Sequence, residues 1–447
     1  MDSSWASILR VTMPMILSTM STNLMYIIDR FMLAGYSISA MNASVASGTF
    51  VSIFTFMFIG IVNSAETLVG QYNGAKKYTK LAAPIWQMIY LSLLSCVFFL
   101  PIAYFSDVIH LLPPYFLEEG VAYQEMLMYF GALPPLKMAL AAFFIGQGKS
   151  KIIVVSVLVG VLANVVLDYA FIYGVAPIIP RLGCRGAAIA SIIAELIQIM
   201  MLAIPFFNAK NRRHYKTWTN RAWNWTLFKA CCRVGVPISL VNAVSLIAWY
   251  IVQSLVGYVS QEAATVYSIG INVYIFFIFV GEGVNKAVIA ICSNMIGRND
   301  LDSIEKTRKN FAWICIFFGT LITVPLIFCP NWIMAALDSL PDNIASLYKE
   351  IKDVLCIVAL GVTIETLMMA TWGILLAGGD TRYAAIIHQI CMWIVVVLPT
   401  VVLYFSHFLT FASVPYIFGL ITAWAAITQL LIYKRYKSMQ WCKKLLP

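Results

Sequence analysis

Charge is what this sequence has least of. Lysine, arginine, aspartate and glutamate make up 11% of its 447 residues, against roughly a quarter in a soluble globular domain. A water-facing surface needs charge of both signs all round it, so a soluble enzyme or soluble binding domain is excluded. Paired cysteine spacing is also missing. Cys96, Cys292, Cys315, Cys329, Cys356 and Cys391 lie within or at the ends of apolar runs and read as small core residues, not as a disulfide framework. The adjacent Cys231 and Cys232 lack the neighbouring ligands that zinc requires, and no metal or cofactor is expected beyond a coupling ion. Only His388 falls clearly inside an apolar run, and Gly35-Tyr-Ser-Ile-Ser39 is not a nucleophile elbow. An intramembrane enzyme, which needs a nucleophile with its base or a metal cluster, is left as a remote alternative. The first apolar stretch, 8–34, is too long for the core of a signal peptide and reads as a first membrane span.

What the sequence has in abundance is apolar length. Hydrophobic residues make up 61% of the chain, in runs that reach the ~20 residues a helix needs to cross a bilayer. Twelve spans are predicted near 8–34, 45–72, 84–105, 121–146, 152–173, 186–207, 230–257, 265–296, 310–330, 352–377, 383–406 and 411–433. With both termini on one side, 23 of the 30 lysines and arginines fall in segments on that side, seven of them between Lys210 and Arg233. Arg181, Arg185, Lys349 and Lys352 are the four on the other side. The positive-inside rule makes the crowded side cytoplasmic, so both termini are expected in the cytoplasm. The basic loop is then an anchor facing membrane lipid, not a nucleic-acid patch.

The spans also repeat. Pro14-Met-Ile-Leu17 aligns with Pro237-Ile-Ser-Leu240, Gly35-Tyr36 with Gly257-Tyr258, and the turn Gly70-Gln-Tyr-Asn-Gly74 with Ser293-Asn-Met-Ile-Gly297, all at a shift of 222 or 223. Gly146-Gln-Gly-Lys-Ser-Lys151 resembles Ala377-Gly-Gly-Asp-Thr-Arg382 at 231. Six spans is an even number, so the halves share one orientation, related by a pseudo-twofold axis along the membrane normal. The expected fold is all-α and integral to the membrane: an N-terminal six-helix lobe (1–207), a basic cytoplasmic linker (208–229) and a parallel C-terminal six-helix lobe (230–447). Two lobes with a site between them is the architecture of a secondary transporter.

Ionisable residues inside a bilayer are costly and mark function by default. Glu282 and Lys286, four apart, are expected to neutralise each other, and Arg30 to snorkel to the interface. Glu66 lies near the cytoplasmic end, and Glu195 is expected either to satisfy itself with a neighbouring helix or to stand free; Lys137 has no assigned role. Asp29, Asp168 and Ser191 are six, six and five residues from the glycines at the outer ends of spans 1, 5 and 6. All three therefore sit roughly 7–9 Å below the outer edge, and Asn164 shares a helix face with Asp168. These four oxygen-bearing side chains either bind a hard cation such as sodium, or carry a proton on a desolvated carboxyl, or merely pin three helices together. In the other lobe Glu365 is followed at helical spacing by Met368, Met369 and Trp372, soft and aromatic neighbours that suit an organic cation.

With these pieces in order, the chain resembles the multidrug and toxic compound extrusion (MATE) family of antiporters over essentially its whole length. The resemblance is carried by span 1 from Pro14 through Asp29 to Gly35, by Leu68-Val-Gly-Gln-Tyr-Asn-Gly-Ala-Lys76, Asn164-Val-Val-Leu-Asp168, Gly186-Ala-Ala-Ile-Ala-Ser191 and Gly378-Gly-Asp-Thr-Arg382. It implies export of amphipathic, often cationic, compounds in exchange for protons or sodium. It also implies that Asp29, Asn164, Asp168 and Ser191 carry ion coupling, with serine where threonine is usual. In another branch a glutamate on helix 7 and an aspartate on helix 10 form a C-lobe site; Ser245 stands at the first position here and Glu365 at the second. Glu365, Met369 and Trp372, together with Tyr26, are assigned to substrate, and Pro14 to a hinge in span 1, since proline removes a helix hydrogen bond. A lipid-linked precursor flippase of the same superfamily is the nearest alternative, but those chains have fourteen spans. A monomer in the cell (inner) membrane is expected. The topology is directly testable: cysteines placed at Arg213 and Pro341 in a cysteine-free background should label from opposite sides of the membrane. Labelling of both from outside would overturn twelve spans.

Overall fold

The computed structural model describes residues 3–109, 117–175, 177–328 and 347–442, leaving aside the side chains at 38, 117, 118 and 261. It is helical almost throughout, the β structure among the described residues being one bridge between Val175 and Ile179. Among the described residues eleven helices are long and apolar enough to cross a bilayer: spans 1 (Trp5–Tyr36), 2 (Ser39–Gly74), 3 (Tyr78–Tyr104), 5 (Ser150–Tyr173), 6 (Gly183–Phe207), 7 (Trp225–Val259), 8 (Glu262–Gly297), 9 (Asp302–Phe328), 10 (Tyr348–Ala377), 11 (Thr381–Phe405) and 12 (Phe411–Lys437). Span 4 is a bent pair, Glu119–Tyr129 and Leu133–Gly146, at 43°. Pro134 and Pro135 open its second half, where a missing N–H costs nothing at a helix start but cannot continue the first half. The twelve coincide with the expected runs, though several extend a turn or two beyond them. Span 9, for instance, begins at Asp302 because its first turns are amphipathic and carry Glu305 and Arg308. The expected end of span 9 at 330 and the loop holding Pro341 lie outside the described residues. Pro14 and Pro237, repeat partners, each sit within an unbroken helix.

Within the N-terminal lobe small residues bring helices to backbone contact, as membrane packing requires. A Cβ on Gly186 of span 6 would lie 2.6 Å from the carbonyl carbon of Phe171 in span 5. Span 5 is locked to span 1 where the Tyr173 hydroxyl donates to the Met32 carbonyl at 2.6 Å. These contacts set the register of the two helices that carry Asp29, Asn164 and Asp168. The linker packs on span 3: Trp86 Nε1 donates to the Thr217 carbonyl (2.7 Å), and Gln87 both donates to the Ala222 carbonyl (3.1 Å) and accepts from the Asn224 N–H (3.1 Å).

The lobes meet at the end that carries the basic loops, and the seam is reciprocal. A Cβ on Gly74 would lie 1.9 Å from the Asn294 carbonyl oxygen; one on Gly297 would lie 2.1 Å from the Gln71 carbonyl oxygen. Gln71 Nε2 donates to the Ala377 carbonyl at 3.0 Å, and Asn294 Nδ2 to the Gly146 carbonyl at 2.7 Å. Gln71 and Asn294, Gly74 and Gly297, and Gly146 and Ala377 are the pairs that the internal repeat aligns, so each contact has a pseudo-twofold mate. Asn73 Nδ2 adds a bond across the axis to Asn294 Oδ1 at 2.6 Å. Further contacts continue to mid-span: Thr19 Oγ1 to the Phe279 carbonyl (2.8 Å), Ser239 backbone against Gly60, Ile61 backbone against Gly235, and Ile16 backbone against Gly283. Beyond mid-span the N-terminal lobe keeps its own small cores, around Leu33, Ala40 and Ile172 and around Phe50, Phe99 and Met128. Gly257, near the far end of span 7, has nothing within 4 Å of its Cβ position. A cleft between the lobes therefore widens away from the basic end.

Candidate functional site in the cleft

Asp29, Asn164 and Asp168 are buried, the last two completely. Asp29 Oδ1, both oxygens of Asp168 and both polar atoms of Asn164 have no hydrogen-bond partner among the described residues. The two carboxyl groups nevertheless interact side chain to side chain. Two ionised carboxylates have only acceptors, so this contact needs a shared proton or a bound cation between them. Asn164, one turn along span 5, offers its amide oxygen on the same face. Ser191 is half-buried on span 6 and makes no hydrogen bond to the three. A residue the sequence did not single out, Tyr123 of span 4, is within electrostatic reach of both Asp29 and Asp168. A phenol inside an apolar run gives no sequence signal of its own.

Tyr26, a turn from Asp29, is 52% exposed and within electrostatic reach of Glu195 and Asp29 in its own lobe and Glu282 in the other. It faces the cleft. Lys137 and Glu195 form an ion pair at 2.7 Å between spans 4 and 6, each side chain less than one-fifth exposed. Of the two expectations for Glu195, the structure gives the neighbouring-helix one, and it assigns Lys137 its partner. The expected Glu282–Lys286 pair does not form: Lys286 has no ion pair within 4.0 Å among the described residues. It stands within electrostatic reach of both Glu66 and Glu282.

In the C-terminal lobe Glu365 is 5% exposed and accepts a hydrogen bond from the Tyr274 hydroxyl. The acid that the spacing left unpartnered is thus compensated by span 8. Met369 is half-buried beside Gly281, and its carbonyl accepts from Asn285 Nδ2 at 2.8 Å. Trp372 packs edge-on against His388 (4.9 Å between centroids), which packs likewise against Trp424 (4.9 Å). Ser245 accepts from Gln389 Nε2 of span 11 at 2.8 Å, not from anything near Glu365.

A family model described as MatE matches residues 14–170 and again residues 237–402. The chain belongs to the MatE family. The two matched stretches start 223 residues apart (237 − 14), which is the offset of the seam pairs Gln71/Asn294 and Gly74/Gly297. Among curated relatives, the probable multidrug resistance protein NorM of Pasteurella multocida is 22% identical over 404 residues, 87% of this chain and 84% of that one. The probable multidrug resistance protein YoeA of Bacillus subtilis is 24% identical over 331 residues, 72% and 71% of the two chains. A solved multidrug resistance MATE transporter of the MOP superfamily, in an outward-facing conformation, superposes with a TM-score of 0.85 at 15% identity over 97% of this chain and 96% of that one. A MOP-superfamily transporter from Pyrococcus furiosus gives 0.86 at 17% identity over 98% and 97%.

MatE proteins are membrane transporters, not enzymes, and the fold is theirs: an all-helical, multi-pass membrane protein of two six-helix lobes. In this MatE chain the serine at the position the resemblance assigns to helix 7 is bonded to span 11 and not to Glu365. The Lys137–Glu195 pair is the firmest charge contact inside the N-terminal lobe, and it makes a thermodynamic prediction. Breaking a buried pair leaves an uncompensated charge, whereas replacing both partners with apolar groups is close to neutral. Lys137→Met should destabilise the protein by about 2–3 kcal/mol, a discount for the pair's partial exposure from the usual cost. The double variant Lys137→Met/Glu195→Leu should recover most of that loss. Thermal melting in one detergent checks both; a double variant no better than the single one would show that the pair contributes more than mutual neutralisation.

Proposed function

We propose that this MatE-family chain is a proton- or sodium-coupled antiporter that exports amphipathic organic compounds, chiefly cations, by alternating access. The single observation that carries the reading is the contact between Asp29 and Asp168, two buried carboxyls of which Asp29 Oδ1 and both Asp168 oxygens find no hydrogen-bond partner among the described residues. A site of this kind is stable only when a proton or a metal cation occupies it, and an occupant that binds one lobe arrangement better than another shifts the populations of the two. Asn164 and Ser191 complete the candidate sodium shell with Asp29 and Asp168, oxygen ligands throughout, as that ion prefers; Asn164, Asp168 and Asp29 also suffice for proton exchange. The substrate is expected in the cleft, against Tyr26, with Met369 and Trp372 in the C-terminal wall and Glu365 behind them, reachable once the Tyr274 hydroxyl gives way. Multidrug resistance is what the named relatives are called for, and the cleft suits such cargo. The basic loops favour a cytoplasmic seam, which makes the outward-open reading of this lobe arrangement the fitting one, with both termini expected on the cytoplasmic face of the cell (inner) membrane. Pro14 supplies the missing hydrogen bond at which span 1 can bend on the return. The protein is expected to act as a monomer.

Asp168→Asn tests this. The amide is nearly isosteric but neither releases a proton nor offers a full negative charge. In sealed vesicles with a proton or sodium gradient imposed separately, the variant should bind substrate normally while gradient-driven export falls at least tenfold. Asp29→Asn should behave similarly and Ser191→Ala more mildly. Full export by a well-folded Asp168→Asn protein would leave the cluster as a structural network and move coupling elsewhere.

A further inference from the structure

Lys286 is a membrane-embedded lysine with no ion pair within 4.0 Å among the described residues. It lies eleven residues from Gly297 at the basic end of span 8, about 16 Å into the helix at 1.5 Å per residue. At such depth a lysine is retained only where it faces water or a partner. Its direction is fixed by its neighbours on the helix. Ser293, eleven residues after Glu282 and so three turns further on the same stripe, meets Gly70 of span 2, where an added Cβ would lie 1.8 Å from Ser293 Oγ. Lys286 falls on that stripe one turn after Glu282. Both residues therefore face the N-terminal lobe just beyond the point where spans 2 and 8 part. The opposite side of span 8 is occupied, by Met369 at Gly281 and by Gly373 at Val288. Across the gap stands Glu66, 3% exposed, with Oε1 lacking a hydrogen-bond partner. It is close enough to act on Lys286 electrostatically but forms no ion pair with it within 4.0 Å. On the other side Glu282 is exposed and likewise unpaired.

The ammonium thus has two carboxyl groups within electrostatic reach, while its three N–H donors are used by neither. An i, i+4 pair of free groups, one of each sign, with β-carbons about 5–6 Å apart, is a complementary cradle for a ligand that itself carries both charges close together. A plain organic cation placed there meets Lys286 as a repulsive neighbour, and a plain anion meets Glu282 and Glu66. Of the other basic residues inside the spans, Lys137 is already spent on Glu195 at 2.7 Å, and Arg30 is exposed a residue from Asp29, on which it acts electrostatically.

We propose that the compound carried in this cleft is zwitterionic, and that Lys286 binds its anionic group, a carboxylate or an equivalent oxyanion, while Glu282 faces its cationic one. This rests on the export reading above and narrows its substrate class. Rhodamine B, which has a free carboxylate, and its ethyl ester, a simple cation on the same ring system, form a matched pair of probes whose binding to the purified protein is read by fluorescence anisotropy. Wild-type protein should bind the acid about tenfold more tightly than the ester. Lys286→Gln should bring the two affinities within twofold by weakening the acid alone, and Lys286→Arg should keep the preference. Ester binding serves as the folding control for the glutamine variant; if that variant loses both dyes, the arginine variant decides, its loss of the acid preference counting against the proposal and its retention for it. Equal binding of acid and ester by the wild-type protein, or an unchanged preference in a folded Lys286→Gln protein, overturns this inference alone. Binding of neither dye by the folded wild-type protein would remove the export reading and this inference together.

Discussion

The whole arrangement hangs on backbone-to-backbone contact at one end of two helices. Spans 2 and 8 approach so closely that a methyl group on Gly74 or Gly297 would overlap the carbonyl of the facing residue. The same contact positions Gln71 and Asn294 to reach across to Ala377 and Gly146. Those two carbonyls end spans 10 and 4, and the last carbonyls of a helix have no partner within it. In a membrane such groups must be satisfied by protein. Each lobe therefore completes the helix termini of the other, and the twofold repetition of the contact makes the seam self-complementary in the manner of a symmetric dimer interface.

Joining the lobes at one end leaves a cleft at the other, and the ionisable groups that a bilayer would reject are distributed around it. They fall into three kinds. Lys137 with Glu195 is a closed pair that stiffens one wall. Asp29 with Asp168 is a like-charge pair that is incomplete without a cation or a proton. Lys286 stands within electrostatic reach of Glu282 and Glu66 without an ion pair to either among the described residues, which leaves its hydrogen-bonding capacity for a guest. Closed pairs hold structure, whereas incomplete ones leave capacity for an occupant, and this separates the scaffold of the cleft from the groups proposed to work in it.

Much of this was legible in the sequence because membranes impose simple rules. Length and hydropathy gave twelve spans, and the near-constant offset of Pro14, Gly35 and Gly74 from their second-half partners gave two parallel lobes. Depth alone placed Asp29 and Asp168 at one level, where the structure brings their carboxyls together. What stayed hidden were partnerships between distant residues. Lys137 and Glu195 are 58 positions apart, and nothing in either run marks the other. The helical spacing of Glu282 and Lys286 made pairing the natural expectation, but both side chains reach outward from span 8 toward the other lobe instead of along the helix. Tyr274 could not be foreseen as the partner of Glu365, since tyrosines are common in apolar helices and only the fold selects one. Helix ends were blurred too, because hydropathy registers the apolar middle of a helix such as span 9 and misses its amphipathic first turns.

If close approach at the glycines is what holds the lobes in this arrangement, a single methyl group at the seam should part them. The direct measurement is the distance between spin labels at Lys77 and Arg298, both exposed at the basic end beside the two glycines, in otherwise wild-type protein and in a Gly74→Ala background. The account predicts a wider mean distance in the alanine protein, since the new Cβ would stand 1.9 Å from the Asn294 carbonyl oxygen and backbone cannot yield as a flexible side chain does. An unchanged distance in a folded Gly74→Ala protein would contradict it, and would mean that the lobes are held together by something other than this seam.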